Sequence, residues 1–215
     1  MTSTTKNKQN EFSKLISSVE NCIKCERMCN RKKVLSDNNG NINSKVMFIA
    51  EAPGRLGAEQ TGIPLCGDKT GNNFEKLLNS IGWKREDIFI TNAVLCNPQK
   101  TNGNNSAPTE KEIENCSIYL KETLSLINPD VIVTLGCKAL SALNIIYPHN
   151  YTLKNHAGNI QSWNNKSLYP LYHPSPISIN LNRNMDRQIS DFINLLLIVN
   201  PLSGLKDGEI NFYEN

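Results

Sequence analysis

The sequence predicts an α/β fold of three layers, a mostly parallel four-stranded sheet covered by helices on both faces. Three observations carry it. Short apolar runs rich in β-branched and aromatic residues alternate with longer runs of helical periodicity, and Gly or Pro stops the short ones. The short runs are apolar almost throughout, as strands buried on both faces must be. And the chain, at 215 residues, is long enough to bury the core such a fold needs in one domain, residues 1–215.

Taken in order, EFSKLISSVENC reads as an N-terminal helix, with residues 1–15 expected to be a mobile terminus. The strands are KVMFIA (45–50), DIFITNAVL (87–95), DVIVTLG (130–136) and SLYPLYHP (167–174). Between them, Phe74, Leu77, Leu78 and Ile81 share one helical face. Ile113, Tyr119, Leu120, Leu124 and Ile127 mark a second helix, and Ala139, Leu140, Leu143 and Ile146 a third. Pro108 and Thr109 open the second of these, with Glu112 spaced to complete a capping box. NMDRQISDFINLLLIV is a C-terminal helix, while SDNNGNINS and QKTNGNNSA read as mobile, Asn-rich surface loops.

A formal charge of +3 is too mild to establish a nucleic-acid partner, so that conclusion must come from a site. The start, MTSTTKNKQNEF, carries no apolar signal core and no run is long enough to span a bilayer, so a soluble, cytoplasmic protein is expected, acting as a monomer. Seven cysteines argue for metal ligation or buried thiols rather than a disulfide framework.

Ligands of such sheets sit beyond the carboxyl ends of the strands. Four unusual stretches fall there: EAPG after the first strand, Thr91 and Asn92 within the second, the loop after Cys96, and HPSP after the fourth. The crossing EAPGRLGAEQTGIPLCGDKTG lacks GxxxxGK[ST] and GxGxxG, so it is neither of those nucleotide loops. It reads as a binding loop whose backbone approaches a ligand closely.

EAPG, the phrase GAxxTGxxxxGDx[ST]G, ITN followed by a cysteine and a proline, and YHPSP together resemble the uracil-DNA glycosylase superfamily, especially its iron–sulfur families 4 and 5. The likeness runs from about Cys22 to the last helix and is mixed: EAPG is similar to family 4, the spacing of the glycine phrase to family 5. It implies a DNA repair enzyme that hydrolyses the N-glycosidic bond of uracil in DNA and leaves an abasic site, with removal of other deaminated bases left open. By that resemblance His173 stabilises the departing uracil anion and Asn92 reads the base edge. Glu51 positions water or stabilises the sugar cation, and Ala52 and Gly54 supply backbone near the base. Leu65 stands where the family carries an aromatic ring, so the base meets an apolar wall without a stacking face. After His173, Ser175 and Ile177 belong to the loop that enters the duplex, Ile177 as the wedge, and Arg183 is a candidate phosphate contact.

The same resemblance sorts the cysteines. Cys22 and Cys25, in a segment spanning 22–33, with Cys96 and then Cys116 after nineteen intervening residues, match the ligands of a [4Fe–4S] cluster. Read without it, four thiols in two distant pairs suit a structural zinc equally. Cys29 is a competing ligand, and Cys66 and Cys137 are structural thiols. A covalent uracil-capturing relative needs a histidine in the loop NPQKTNGNNSAPTE, which has none. A non-catalytic, metal-stabilised nucleic-acid-binding module of the same fold is the alternative to the enzyme, with Leu65 as its main support.

Overall fold

A computed structural model describes residues 3–200. In chain order its elements are α1 (Ser3–Glu20), β1 (Val46–Ala50), α2 (Ala58–Thr61), α3 (Lys69–Ser80), β2 (Phe89–Asn92), α4 (Glu110–Ile127) and β3 (Val131–Leu135). They continue with α5 (Cys137–Ile146), α6 (Leu153–His156), β4 (Gln161–Trp163), β5 (Lys166–Leu171), α7 (Pro176–Leu181) and α8 (Met185–Val199).

The sheet has the order β2-β1-β3-β5-β4. The pairs β1–β2, β1–β3 and β3–β5 are parallel, and β4 runs antiparallel to β5 on the edge. The expected four strands are therefore joined by a fifth. It is only three residues long, and the turn that returns it, Asn164-Asn165, has both residues at positive φ, 46° and 60°. That is the conformation a two-residue type I′ hairpin requires, and Asn tolerates it.

Every residue of β1 is buried, and alternate side chains serve two cores. Met47 and Ile49 pack with Phe12, Leu15 and Val19 of α1 and with the inner faces of α4 and α5. Val46, Phe48 and Ala50 pack with Phe74, Leu77 and Leu78 of α3 and Phe192 and Leu195 of α8. This is the three-layer arrangement that the alternation of strands and helices implies. Thr109 caps α4 by accepting from the Glu112 amide, and the Glu112 carboxylate accepts from the Thr109 amide, as the spacing predicts.

Two expectations of mobility need correction. Of the terminus expected to be mobile, residues 1–15, the first two lie outside the described residues, helix α1 begins at Ser3, and Phe12 and Leu15 are buried in the first core. The segment SDNNGNINS is anchored as well: Asn39 is fully buried and donates from Nδ2 to the Ile90 carbonyl of β2 at 2.7 Å. Among the described residues no helix is long and apolar enough to cross a membrane.

Candidate active site

Parallel register brings the carboxyl ends of the strands side by side. Ala50 pairs with Asn92, and Leu135 with Leu171, so the segments after β1, β2, β3 and β5 leave the sheet on one edge. The chain after β2 stays on its neighbour: Ala93 N donates to Ala50 O at 2.8 Å and Val94 N to Glu51 O at 3.1 Å, which fixes where Glu51 leaves the sheet. A cavity of about 400 Å³ opens there. Of the residues singled out in the sequence, Glu51, Ala52, Gly54, Leu65, His173, Ser175 and Ile177 all line it.

The glycine-rich crossing is a folded wall of this cavity. Gly54 O accepts from the amides of Gly57 and Glu59 at 3.1 Å each, which starts the short helix α2, and Gly62 ends it in the left-handed region at φ 75°. The chain then turns through Leu65, at φ 49°, to Asp68, whose side chain caps α3 by accepting from Gly71 N at 2.9 Å. A Cβ on Gly54 or Gly57 would lie 2.9 or 2.6 Å from Asp68 Oδ2, so these glycines make room for a carboxylate at the cavity wall. Asp68 was not singled out from the sequence. Its signals were its place in the phrase GAxxTGxxxxGDx[ST]G and just before a helix of clear periodicity.

The far wall also carries unforeseen residues. The Asn-rich loop after Cys96, expected to be mobile, folds back over EAPG: Asn97 Nδ2 donates to Pro53 O at 2.6 Å and to Asn105 Oδ1 at 3.0 Å, and Arg55 N donates to the same oxygen at 3.0 Å. Asn105, Ser106 and Ala107 thereby line the cavity. Arg27 ties this loop to α4 with all five of its N–H groups. It pairs bidentately with Glu112 at 2.5 and 2.6 Å and donates to Ser106 Oγ at 2.8 Å and to the carbonyls of Gln99 and Ala107 at 3.3 Å.

His173 follows β5. Asn73 Nδ2 of α3 donates to the next carbonyl, Pro174 O, at 2.9 Å, and Gly136 lies close enough that its Cβ would be 3.5 Å from that of His173. Protein surrounds the imidazole except where it meets the cavity. Desolvation holds its pKa down to about 4, against a smaller opposing influence of Asp68, so the ring is neutral at pH 7 with one N–H to donate. Burial pushes the Glu51 carboxyl above its ordinary value, with Lys138 partly opposing.

Asn92 does not line the cavity but sits buried at the end of β2, next to the strand that delivers Glu51, and its Nδ2 has no hydrogen-bond partner. A buried amide donor left unmatched costs about 1–3 kcal/mol, which an incoming acceptor would recover. Ile177 is 71% exposed on α7, at the cavity mouth, and Ser175 caps that helix, accepting from Ser178 N at 3.3 Å. Arg183 is held away from this group: its guanidinium pairs bidentately with the buried carboxylate of Asp191, at 2.5 Å for both contacts. A phosphate there would have to share a cation that already has a partner.

The cysteines converge elsewhere. Cys22, Cys25, Cys29, Cys96 and Cys116 all line one small pocket between the N-terminal segment, the end of β2 and α4. The donor set suits thiolate ligation: Leu95 N points at Cys116 Sγ, 3.4 Å away, and Asn115 Nδ2 at Cys25 Sγ, 3.5 Å away. Burial pushes the Cys96 thiol up to about 11 and Cys116 to about 12, so a cationic centre is what would draw them into thiolates. Among the described residues no group of His, Cys, Asp or Glu is gathered tightly enough to hold a single ion. The enclosed space is small, about 20 Å³, of the order of one water. Cys66 is half-buried beside Leu65, and Cys137 is exposed at the start of α5.

The sequence has relatives among known proteins. Residues 38–197 match the family model described as the uracil DNA glycosylase superfamily. The chain is similar to a type-4 uracil-DNA glycosylase of Thermotoga maritima, 33% identical over 81% of this chain and 87% of that one. It is similar to a type-4 enzyme of Saccharolobus solfataricus, 36% identical over 73% and 72%. A type-5 uracil-DNA glycosylase of Pyrobaculum aerophilum is 32% identical over 67% of each chain.

Proposed function

The chain belongs to the uracil-DNA glycosylase superfamily, and on that footing we propose that it hydrolyses the N-glycosidic bond of uracil in DNA and leaves an abasic site. The observation that carries the reading is the meeting of Glu51, Leu65 and His173 around one cavity beside the unmatched Asn92 amide.

A target base has to leave the stack to reach such a cavity, and the exposed apolar Ile177 at its mouth is placed to fill the gap. Inside, Asn92 Nδ2 donates to uracil O4 while its Oδ1 accepts from N3–H, and the amide loses its desolvation penalty. As the C1′–N1 bond breaks, its electron pair stays with uracil. The neutral His173 N–H donates to the resulting anion, an interaction that strengthens mainly in the transition state. Water forms the new C1′–O bond and gives its proton to Glu51, whose raised pKa suits a base. Arg183, paired with Asp191, contributes to DNA binding only as a shared charge.

Cys22, Cys25, Cys96 and Cys116 would hold a [4Fe–4S] cluster, whose ligation supplies a staple between the N-terminal segment and the sheet.

The test is conversion of a uracil-containing oligonucleotide to an alkali-labile product by purified protein. Conversion that requires His173 supports the enzyme. Tight DNA binding without conversion leaves the non-catalytic module in its place.

A further inference from the structure

Leu65 forms part of the cavity wall with its backbone at φ 49°, in the left-handed region that costs a residue with a Cβ about 1–2 kcal/mol. Glycine would adopt that conformation freely. A chain that keeps a strained leucine where glycine is easier has a use for the side chain, and strain of this kind persists only where the surroundings over-determine it.

Arg85 supplies the determination. Its Nη1 donates to Pro64 O at 2.8 Å and its Nη2 to Leu65 O at 2.6 Å. These carbonyls belong to the peptide planes on either side of the Leu65 Cα. One planar guanidinium therefore fixes both the φ and the ψ of Leu65. Arg85 is in turn fixed by α3, through an ion pair from Nε to Glu75 and the Phe74 ring 5.8 Å beneath its guanidinium. Gly71 closes the arrangement from the other side, since a Cβ there would meet Leu65 O at 2.6 Å.

We propose that Arg85 is a positioning residue, which holds Leu65 against the flipped base and so sets how tightly that base is bound. The proposal rests on the cavity being the uracil pocket. A lysine cannot replace it, because a single ammonium does not hold two peptide planes in register.

The test compares Arg85→Ala and Arg85→Lys in the wild-type chain and in Leu65→Gly, which removes the wall and the strain together. Inhibition by free uracil should weaken about tenfold in both Arg85 variants, roughly the value of one base–wall contact. The single-turnover rate at saturating DNA should change far less. In the Leu65→Gly background Arg85→Ala should change uracil inhibition less than about twofold while lowering the thermal midpoint as much as before, because the coupling lies in binding and not in stability. Equal loss of uracil affinity in both backgrounds overturns the proposal by making Arg85 merely structural. Should the alanine variant not fold, the lysine variant carries the same comparison. Amide exchange over residues 65–67 separates the proposal from the enzymatic reading. If the wild-type chain neither excises nor binds uracil, faster exchange there in Arg85→Lys, with β1 unchanged, still supports the clamp, and unchanged exchange overturns it.

Discussion

The cavity at the strand ends encloses about 400 Å³ and the thiol pocket about 20 Å³, yet neighbouring stretches of chain build both. Cys96 lies in one, and Pro98 and Asn105, a few residues on, wall the other. The cavity has groups that are costly to leave as they are: a half-buried carboxyl, a desolvated imidazole and a leucine at positive φ, with the unmatched Asn92 amide buried at the neighbouring strand end. The thiol pocket has converging sulfurs, with N–H groups pointed at those of Cys25 and Cys116. Unsatisfied and strained groups suit a site that a ligand enters and leaves. Inward-facing thiols suit a permanent resident. Arg27, between Cys25 and Cys29, spans the two regions by holding the cavity loop and the cap of α4 at once.

If that contrast is right, cavity substitutions should change rate or recognition with little effect on stability, and thiol substitutions the reverse. The largest change short of His173 itself is expected from Glu51→Gln, a loss of about two to three orders of magnitude in single-turnover rate with DNA binding nearly intact. Because burial raises the Glu51 pKa, its working carboxylate is lost on acidification sooner than an exposed one would be. The wild-type rate should be flat above neutral pH and fall in the acid range. In Glu51→Gln, which has no carboxylate to protonate, that acid limb should be lost.

Asn92→Asp presents an acceptor where uracil O4 needs a donor, and should weaken uracil recognition at least about tenfold, read as the ratio of single-turnover efficiency on uracil to that on cytosine. Cys96→Ala should act on the other region: loss of visible colour and iron, with a thermal midpoint lower by several degrees. Colourless wild-type protein carrying stoichiometric zinc after anaerobic purification would reject the cluster. The smallest effect is expected from Leu65→Phe, which restores a stacking face at no new backbone strain and should tighten uracil product binding by about 1 kcal/mol. A large loss there would mean that the pocket is shaped for a bulkier base.

The strands and long helices were legible because burial on both faces leaves continuous apolar runs, and amphipathic helices repeat at i, i+3 and i+4. The capping box of α4 was legible for the same local reason. β4 escaped because three residues carry no periodicity, although Asn164-Asn165 was a turn signal. Asn39 and Asn105 were misjudged because composition alone cannot tell a solvated asparagine from one whose amide finds a distant backbone. The cavity residues at strand ends were legible through motif and topology. Those that hold them were not: Arg27 acts on partners about eighty residues away, Arg85 on carbonyls twenty residues back, and neither spacing leaves a pattern. The five converging thiols were foreseen only as a quartet with a competitor, and their meeting depends on how α4 packs.

The most direct measurement is single-turnover excision of uracil from a duplex oligonucleotide by the wild-type chain and by His173→Ala, with DNA affinity measured alongside. The predicted result is a rate lower by about two to three orders of magnitude in the variant, at nearly unchanged affinity, since a donor aimed at developing charge acts mainly in the transition state. Excision by His173→Ala at the wild-type rate would contradict the account.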